Sequence, residues 1–140
     1  MIKIVSDSSA LYSKEDGQVK GISILPLIVT INGSTYNEYE DIKTKEFIDI
    51  INEGHIPVSS QPAIGEVLNV YNENEDCEII NISMADGLSG TYNSACVAKE
   101  MAENSKRIEV INSGTLCGPQ KYLVDLAVKL VELGKNKDEI

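Results

Sequence analysis

The 140-residue chain has no tryptophan, one phenylalanine and one histidine, and aromatic residues make up only 5% of it. Stacking platforms for single-stranded nucleic acid are therefore scarce. Lysine and arginine number 12 against 22 aspartates and glutamates, a formal charge of −10 at pH 7. Neutralising nucleic-acid phosphates takes clustered cations, and docking on an anionic membrane face takes polybasic segments. The chain has neither, so no nucleic acid and no membrane insertion are expected. Long apolar runs are missing too. Met1-Ile2-Lys3-Ile4-Val5 meets Ser6-Asp7-Ser8 before a signal-peptide core or a membrane helix can form, and the expected compartment is cytoplasmic. Cys77, Cys96 and Cys117 are far apart with no C-x-x-C, which supports neither a disulfide framework nor a zinc site. Two of the three stand in apolar surroundings and read as small core residues.

What is present suffices for one packed domain: 42% of residues are apolar. Ile2 to Ser6 reads as a short buried strand. Ile22 to Ile31 is a β-rich run punctuated by Pro26, with Asn32-Gly33 as a turn signal. Tyr36 to Asp41 is a polar, acidic edge or loop. Phe47, Ile48 and Ile51 give Thr44 to Glu53 a helical face, closed by Gly54. Ile64, Val67, Leu68 and Tyr71 repeat that spacing, and Pro62 suits the first turn of their helix. Cys77 to Ile82 and Arg107 to Ile111 are strands. Between them a helix running to about Asn104 carries Thr91, Ala95, Ala98 and Ala102 on one face. Pro119 opens a last helix to Leu133, with Gly134 beyond it. Strand and helix alternate through the second half, which predicts an α/β fold with a mostly parallel sheet flanked by helices.

The last helix is apolar over most of its circumference, through Leu123, Leu126, Ala127 and Leu130 on one stripe and Val124, Val128 and Val131 on another. Such a helix needs cover on both sides. Asn136-Lys137-Asp138-Glu139 then reads as a capping box just before Ile140, either the start of a further helix or an acidic tail.

In a parallel α/β sheet, ligands bind beyond the carboxyl ends of the strands. The loops there read Ser6-Asp7-Ser8-Ser9, Ser59-Ser60-Gln61, Ser83 to Thr91 and Ser113-Gly114-Thr115, rich in hydroxyls and without lysine or arginine. Helix N-termini offer free N–H groups and a partial positive charge, so such loops suit a singly charged carboxylate better than a polyphosphate. Helix capping demands the same residues, and both readings stay open. Gly87-Leu88-Ser89-Gly90-Thr91 approximates a nucleophile elbow, but Thr91 stands where glycine is required. A serine hydrolase using Ser89 would have only His55 as its base. Glu38, Glu40 and Asp41 could bind a hard cation or form a solvated loop. Neither G-x-G-x-x-G nor a phosphate-loop lysine occurs.

Taken together, these segments resemble the DegV family of bacterial fatty-acid-binding proteins. The resemblance rests on Ser6-Asp7-Ser8, Pro26-Leu27, Gly33, Tyr36 and Asp41-Ile42. It continues through Ser59-Ser60-Gln61-Pro62 with Gly65-Glu66, then Leu88-Ser89-Gly90-Thr91-Tyr92 with Ser94-Ala95. It implies a DegV-type N-terminal α/β domain over residues 1–134, with 135–140 as the start of a missing second domain. It also implies a carrier with no catalytic residue, no metal and no cofactor, holding a long-chain fatty acid whose carboxylate meets Ser59, Ser60, Ser89, Gly90 and Thr91. Some members are the acyl-binding subunit of a fatty acid kinase, so an ATP-binding kinase subunit is an implied partner. Self-association through the face of the missing domain is a further expectation. The chain departs from the pattern at Ala85 and Asp86, where the family often has paired serines, and at Asn112, where it usually has aspartate. The alternatives are a fold remnant or interaction module that binds no lipid and, third, the hydrolase.

Overall fold

The computed structural model describes all 140 residues. Four parallel strands form the main sheet: β1 (Ile2–Asp7), β2 (Ile22–Leu25), β6 (Glu78–Ser83) and β7 (Ile108–Asn112), in the order β2-β1-β6-β7. Ile4 pairs with Ile22 on one side and with Ile80 on the other. β1 is an interior strand covered on both faces, so the consecutive residues Ile4 to Asp7 are all buried. Period two still sorts its side chains. Ile4 joins Ile22, Ile24, Ile80 and Ile82 against Val124 and Ala127, while Val5 joins Ile79, Ile108 and Val110 on the opposite face.

The helices follow from the same faces. α5 (Cys117–Glu132) covers the first cluster with Val124 and Ala127. α3 (Ile64–Glu73) and α4 (Thr91–Met101) cover the second with Val67, Tyr71, Ala95 and Ala98, small residues letting α4 lie close. One polar pair is buried there: Asn81 Nδ2 donates to Tyr71 Oη at 2.7 Å. Burial drives the Tyr71 phenol far above its ordinary pKa. α5 ends as its sequence promises. Gly134 takes a positive φ of 77°, with Gly134 N–H on Val131 O and Lys135 N–H on Leu130 O.

Pro26 ends β2 and sends the chain into a second, antiparallel sheet of β4 (Ser34–Asn37), β3 (Ile28–Ile31) and β5 (Val58–Ser60), in the order β4-β3-β5. Asn32 and Gly33 both have positive φ, 49° and 74°, as a two-residue hairpin turn demands. α2 (Thr44–Asn52) follows this hairpin and buries no residue completely.

Four details differ from the sequence reading. α1 (Lys14–Val19) was not expected; it is started by a capping box in which Ser13 and Asp16 bond reciprocally. Ser59 and Ser60 lie on β5 rather than in a loop, because the free edge of β3 takes them as partners. Pro62 precedes the Ala63 cap of α3 instead of standing in its first turn. No cysteine is fully buried: Cys77 and Cys96 are half-buried and Cys117 is exposed. The Asn136 capping box forms around a single 3-10 turn, Lys137–Glu139, and Ile140 packs on the first core cluster. No helix is long and apolar enough to cross a membrane.

Candidate functional site

Two of the four hydroxyl-rich segments meet. A cleft of about 200 Å³ is lined by Ser59, Ser60 and Gln61 from one side, and Met84, Leu88, Ser89 and Gly90 from the other, with Leu27 between. It contains no ionisable side chain. Ser59 and Ser60 are exposed, and their hydroxyls make no hydrogen bond within the chain. The side chain of Ser89 does: its Oγ lies 2.8 Å from Thr91 Oγ1 and accepts the Thr91 N–H at 3.2 Å. Thr91 is buried, 3% exposed, and does not line the cleft. Four of the five residues named from the sequence thus share one cavity, and the fifth bonds to one of the four.

The S-Q-P and L-S-G-T-Y segments interlock physically. Gln61 Nε2 donates to Ser94 Oγ at 3.3 Å across the mouth of α4. A Cβ on Gly90 would stand 2.9 Å from that same Nε2. A side chain at 90 would therefore displace the Gln61 amide, while the φ of −71° is one that any residue adopts. α4 begins one residue later, so its N-terminal N–H groups and partial positive charge open at the cleft.

The other two segments lie elsewhere. Ser113 N–H bonds Ser83 O, and Ala85 N–H bonds Thr115 O, so the loop after β7 braces the loop after β6. Ser6, Asp7, Ser8 and Ser9 are buried beneath the cleft. Asp7 accepts from Met84 N–H at 2.9 Å and Gln120 Nε2 at 3.2 Å; Ser8 Oγ accepts from Leu27 N–H at 2.9 Å and donates to Glu38. Gln120 has no place in the sequence reading, and Asp7 stands in it only as part of the run Ser6 to Ser9. The polar run Ser6 to Ser9 was visible, but nothing in a linear pattern says that Gln120, just after Pro119, is fully buried.

Asp86 is exposed and outside the cleft lining, so its charge need not oppose a carboxylate held there. Glu38, Glu40 and Asp41 are engaged separately, by Ser8, by Lys14 N–H at 2.9 Å, and by Asn37 through two 2.7 Å bonds. No three acidic, histidine or cysteine side chains converge as a metal site would require. His55, half-buried between α2 and β5, makes no hydrogen bond to Ser89, whose hydroxyl is paired with Thr91. A second cavity of about 200 Å³ is lined by Val29, Glu38, Tyr39, Ile42, Thr44 and Phe47. A larger cavity, about 470 Å³, sits at the far end of the sheet among Glu75, Asp76, Glu103 and Arg107 and contains none of the serines.

Comparison with known proteins gives this geometry its context. The DegV family model matches residues 1–140. The DegV domain-containing protein SA1258 of Staphylococcus aureus (strain N315) is 38% identical over 139 residues, 98% of this chain and 49% of that protein. DegV of Bacillus subtilis, described as a fatty acid binding protein, superposes with a TM-score of 0.87 at 32% identity over 99% of this chain and 51% of that one. The fatty acid kinase B3 protein of Streptococcus pneumoniae, loaded with linoleic acid, shares the fold with a TM-score of 0.83 at 20% identity, over 99% of this chain and 51% of that one. The chain spans about half the length of these relatives.

Proposed function

The chain belongs to the DegV family, and from that premise we propose that it is a fatty-acid carrier, or one half of one, with no catalytic residue of its own. One observation carries the reading: Ser59, Ser60, Ser89 and Gly90 converge on a cleft without any ionisable side chain, at the N-terminus of α4. A carboxylate there receives hydroxyl and backbone donors and a helix dipole, while a polyphosphate would lack counter-charge. Ser89 Oγ and Thr91 Oγ1 share a hydrogen bond in which either hydroxyl can donate; a Ser89 proton turned to a ligand oxygen exchanges at most this one neutral bond for a charge-assisted one. In this reading the chain is cytoplasmic and takes no cofactor, and a separate ATP-binding subunit phosphorylates the bound acyl group. The exposed face of α5 is proposed to mediate self-association.

Native mass spectrometry of the chain purified from bacteria is the test. A co-purified acyl chain adds a defined mass. Ser89→Ala is expected to weaken palmitate binding by about 1.5–3 kcal/mol, roughly tenfold to a hundredfold. If Ser89 only caps α4, the variant loses about 1 kcal/mol of stability and keeps its affinity, and the site assignment is wrong.

A further inference from the structure

Asp7 is a carboxylate at the end of the central strand, 1% exposed, and no lysine or arginine pairs with it. It is satisfied by dipoles alone. One oxygen takes Ser9 N–H at 3.1 Å and the Ser9 hydroxyl; the other takes Met84 N–H at 2.9 Å and Gln120 Nε2 at 3.2 Å. Gln120, fully buried on α5, also reaches Ser9 Oγ at 2.7 Å and Ser6 Oγ at 3.2 Å. Burying an acidic group costs desolvation that these hydrogen bonds must offset, so stability alone is a weak reason for it to be there.

Its partners suggest a better one. Met84 forms one wall of the serine cleft and starts the loop that presents Leu88, Ser89 and Gly90. The next residue, Ser8, 1% exposed, holds the opposite wall: its Oγ accepts the N–H of Leu27, the residue before β3, which is bonded to β5 through the pair Ile28 and Ser60. We infer that Asp7 and Ser8 are positioning residues of the cleft, consecutive side chains that fix its two walls and so set the spacing of Ser89 from Ser59 and Ser60. A site that binds by converging donors depends on such support, because a small displacement separates them. The inference rests on the cleft being the carboxylate site.

The test compares Asp7→Ala, Ser8→Ala and, as a destabilised control away from the cleft, Tyr71→Phe, which removes the partner of Asn81. Palmitate affinity is measured well below each variant's melting temperature, with amide hydrogen exchange and amide chemical shifts recorded alongside. Tyr71→Phe is expected to melt earlier and bind like the unaltered chain. Asp7→Ala and Ser8→Ala are expected to bind about tenfold or more weakly, with faster exchange at Met84 or Leu27 respectively and shifted Ser89 or Ser60 amides. Affinities tracking stability across all three variants, or unchanged in the first two, would overturn the inference. If Asp7→Ala does not fold, Ser8→Ala decides alone. Should the unaltered chain take up no palmitate, the carrier reading fails and the amides judge the clamp. Ser60 and Leu27 signals that move in Ser8→Ala but not in Tyr71→Phe uphold it; signals that stay put refute it.

Discussion

Asp125 shows how far one side chain can be tuned on this surface. Tyr12 Oη donates to it at 2.6 Å and Lys20 Nζ at 3.1 Å, and Lys121 Nζ sits 3.5 Å from the centre of the Tyr12 ring. Desolvation pushes the Asp125 carboxyl up, but the bonds from Tyr12 and Lys20 and the charges of Lys20 and Lys121 outweigh it and hold the group below its ordinary 3.8. A carboxyl with a depressed folded pKa stabilises the fold fully above the unfolded value and loses that contribution as pH falls through the folded one. Asp125→Asn is therefore expected to melt earlier than the unaltered chain at pH 7, with the gap narrowing below about pH 4. The group is partly exposed, so the gap is modest. Melting curves at pH 7, 5 and 3 check it; a gap that stays constant would remove Asp125 ionisation from the explanation.

Among the elements, α1 poses the sharpest conflict between local preference and packing. Glycine inside a helix is about 1 kcal/mol worse than alanine by propensity alone, so Gly17→Ala would ordinarily stabilise. Here a Cβ would stand 2.5 Å from Ile24 Cγ1 and 3.0 Å from the Ile22 carbonyl oxygen. A backbone carbonyl in a strand cannot swing aside, and overpacking of this kind costs about 1–3 kcal/mol. Gly17→Ala is expected to lower the urea midpoint. A raised midpoint would mean that α1 lifts off β2 without loss, and that this six-residue helix is held by its Ser13–Asp16 cap instead.

For the molecule as a whole, the outer face of α5 is the open question. Its inner face is closed, with Val124 fully buried, yet Tyr122 and Leu133 are each 67% exposed and Leu126 38% exposed along one line of the helix. Covering a large apolar side chain is worth about 1.5–3 kcal/mol when burial is complete, against a typical total stability of roughly 5–15. We expect the 140-residue chain to self-associate through this face, with a melting temperature that rises with protein concentration. Leu126→Glu is expected to give a monomer whose melting temperature ignores concentration. A chain that is already monomeric by light scattering, with the same melting temperature at every concentration, refutes the proposal. The charge of −10 works against association, so raised salt should favour it.

The sequence by itself determined what depends on neighbours along the chain. Apolar runs bounded by Pro26 and Gly134, the Asn32-Gly33 hairpin, the small-residue face of α4 and the alternation behind the parallel sheet are all local patterns, and each appears where its pattern stands. The serines were legible as well, since hydroxyl-rich loops at strand ends are visible in one dimension, and the family resemblance joined Ser59 to Ser89. Tertiary structure alone decided the rest. Ser59 and Ser60 became a strand because β3 had a free edge, a pairing with Val29 and Ile28, 30 and 32 positions away, that propensity cannot foresee. Gln61 came to rest on Gly90, and the buried carboxylate of Asp7 found its donors at Met84 and Gln120, 77 and 113 positions away. Hydrogen bonds of that span belong to the packed chain: donors and acceptors distant in sequence meet only after the strands between them have been ordered, and burial then drives nearly every polar group to a partner.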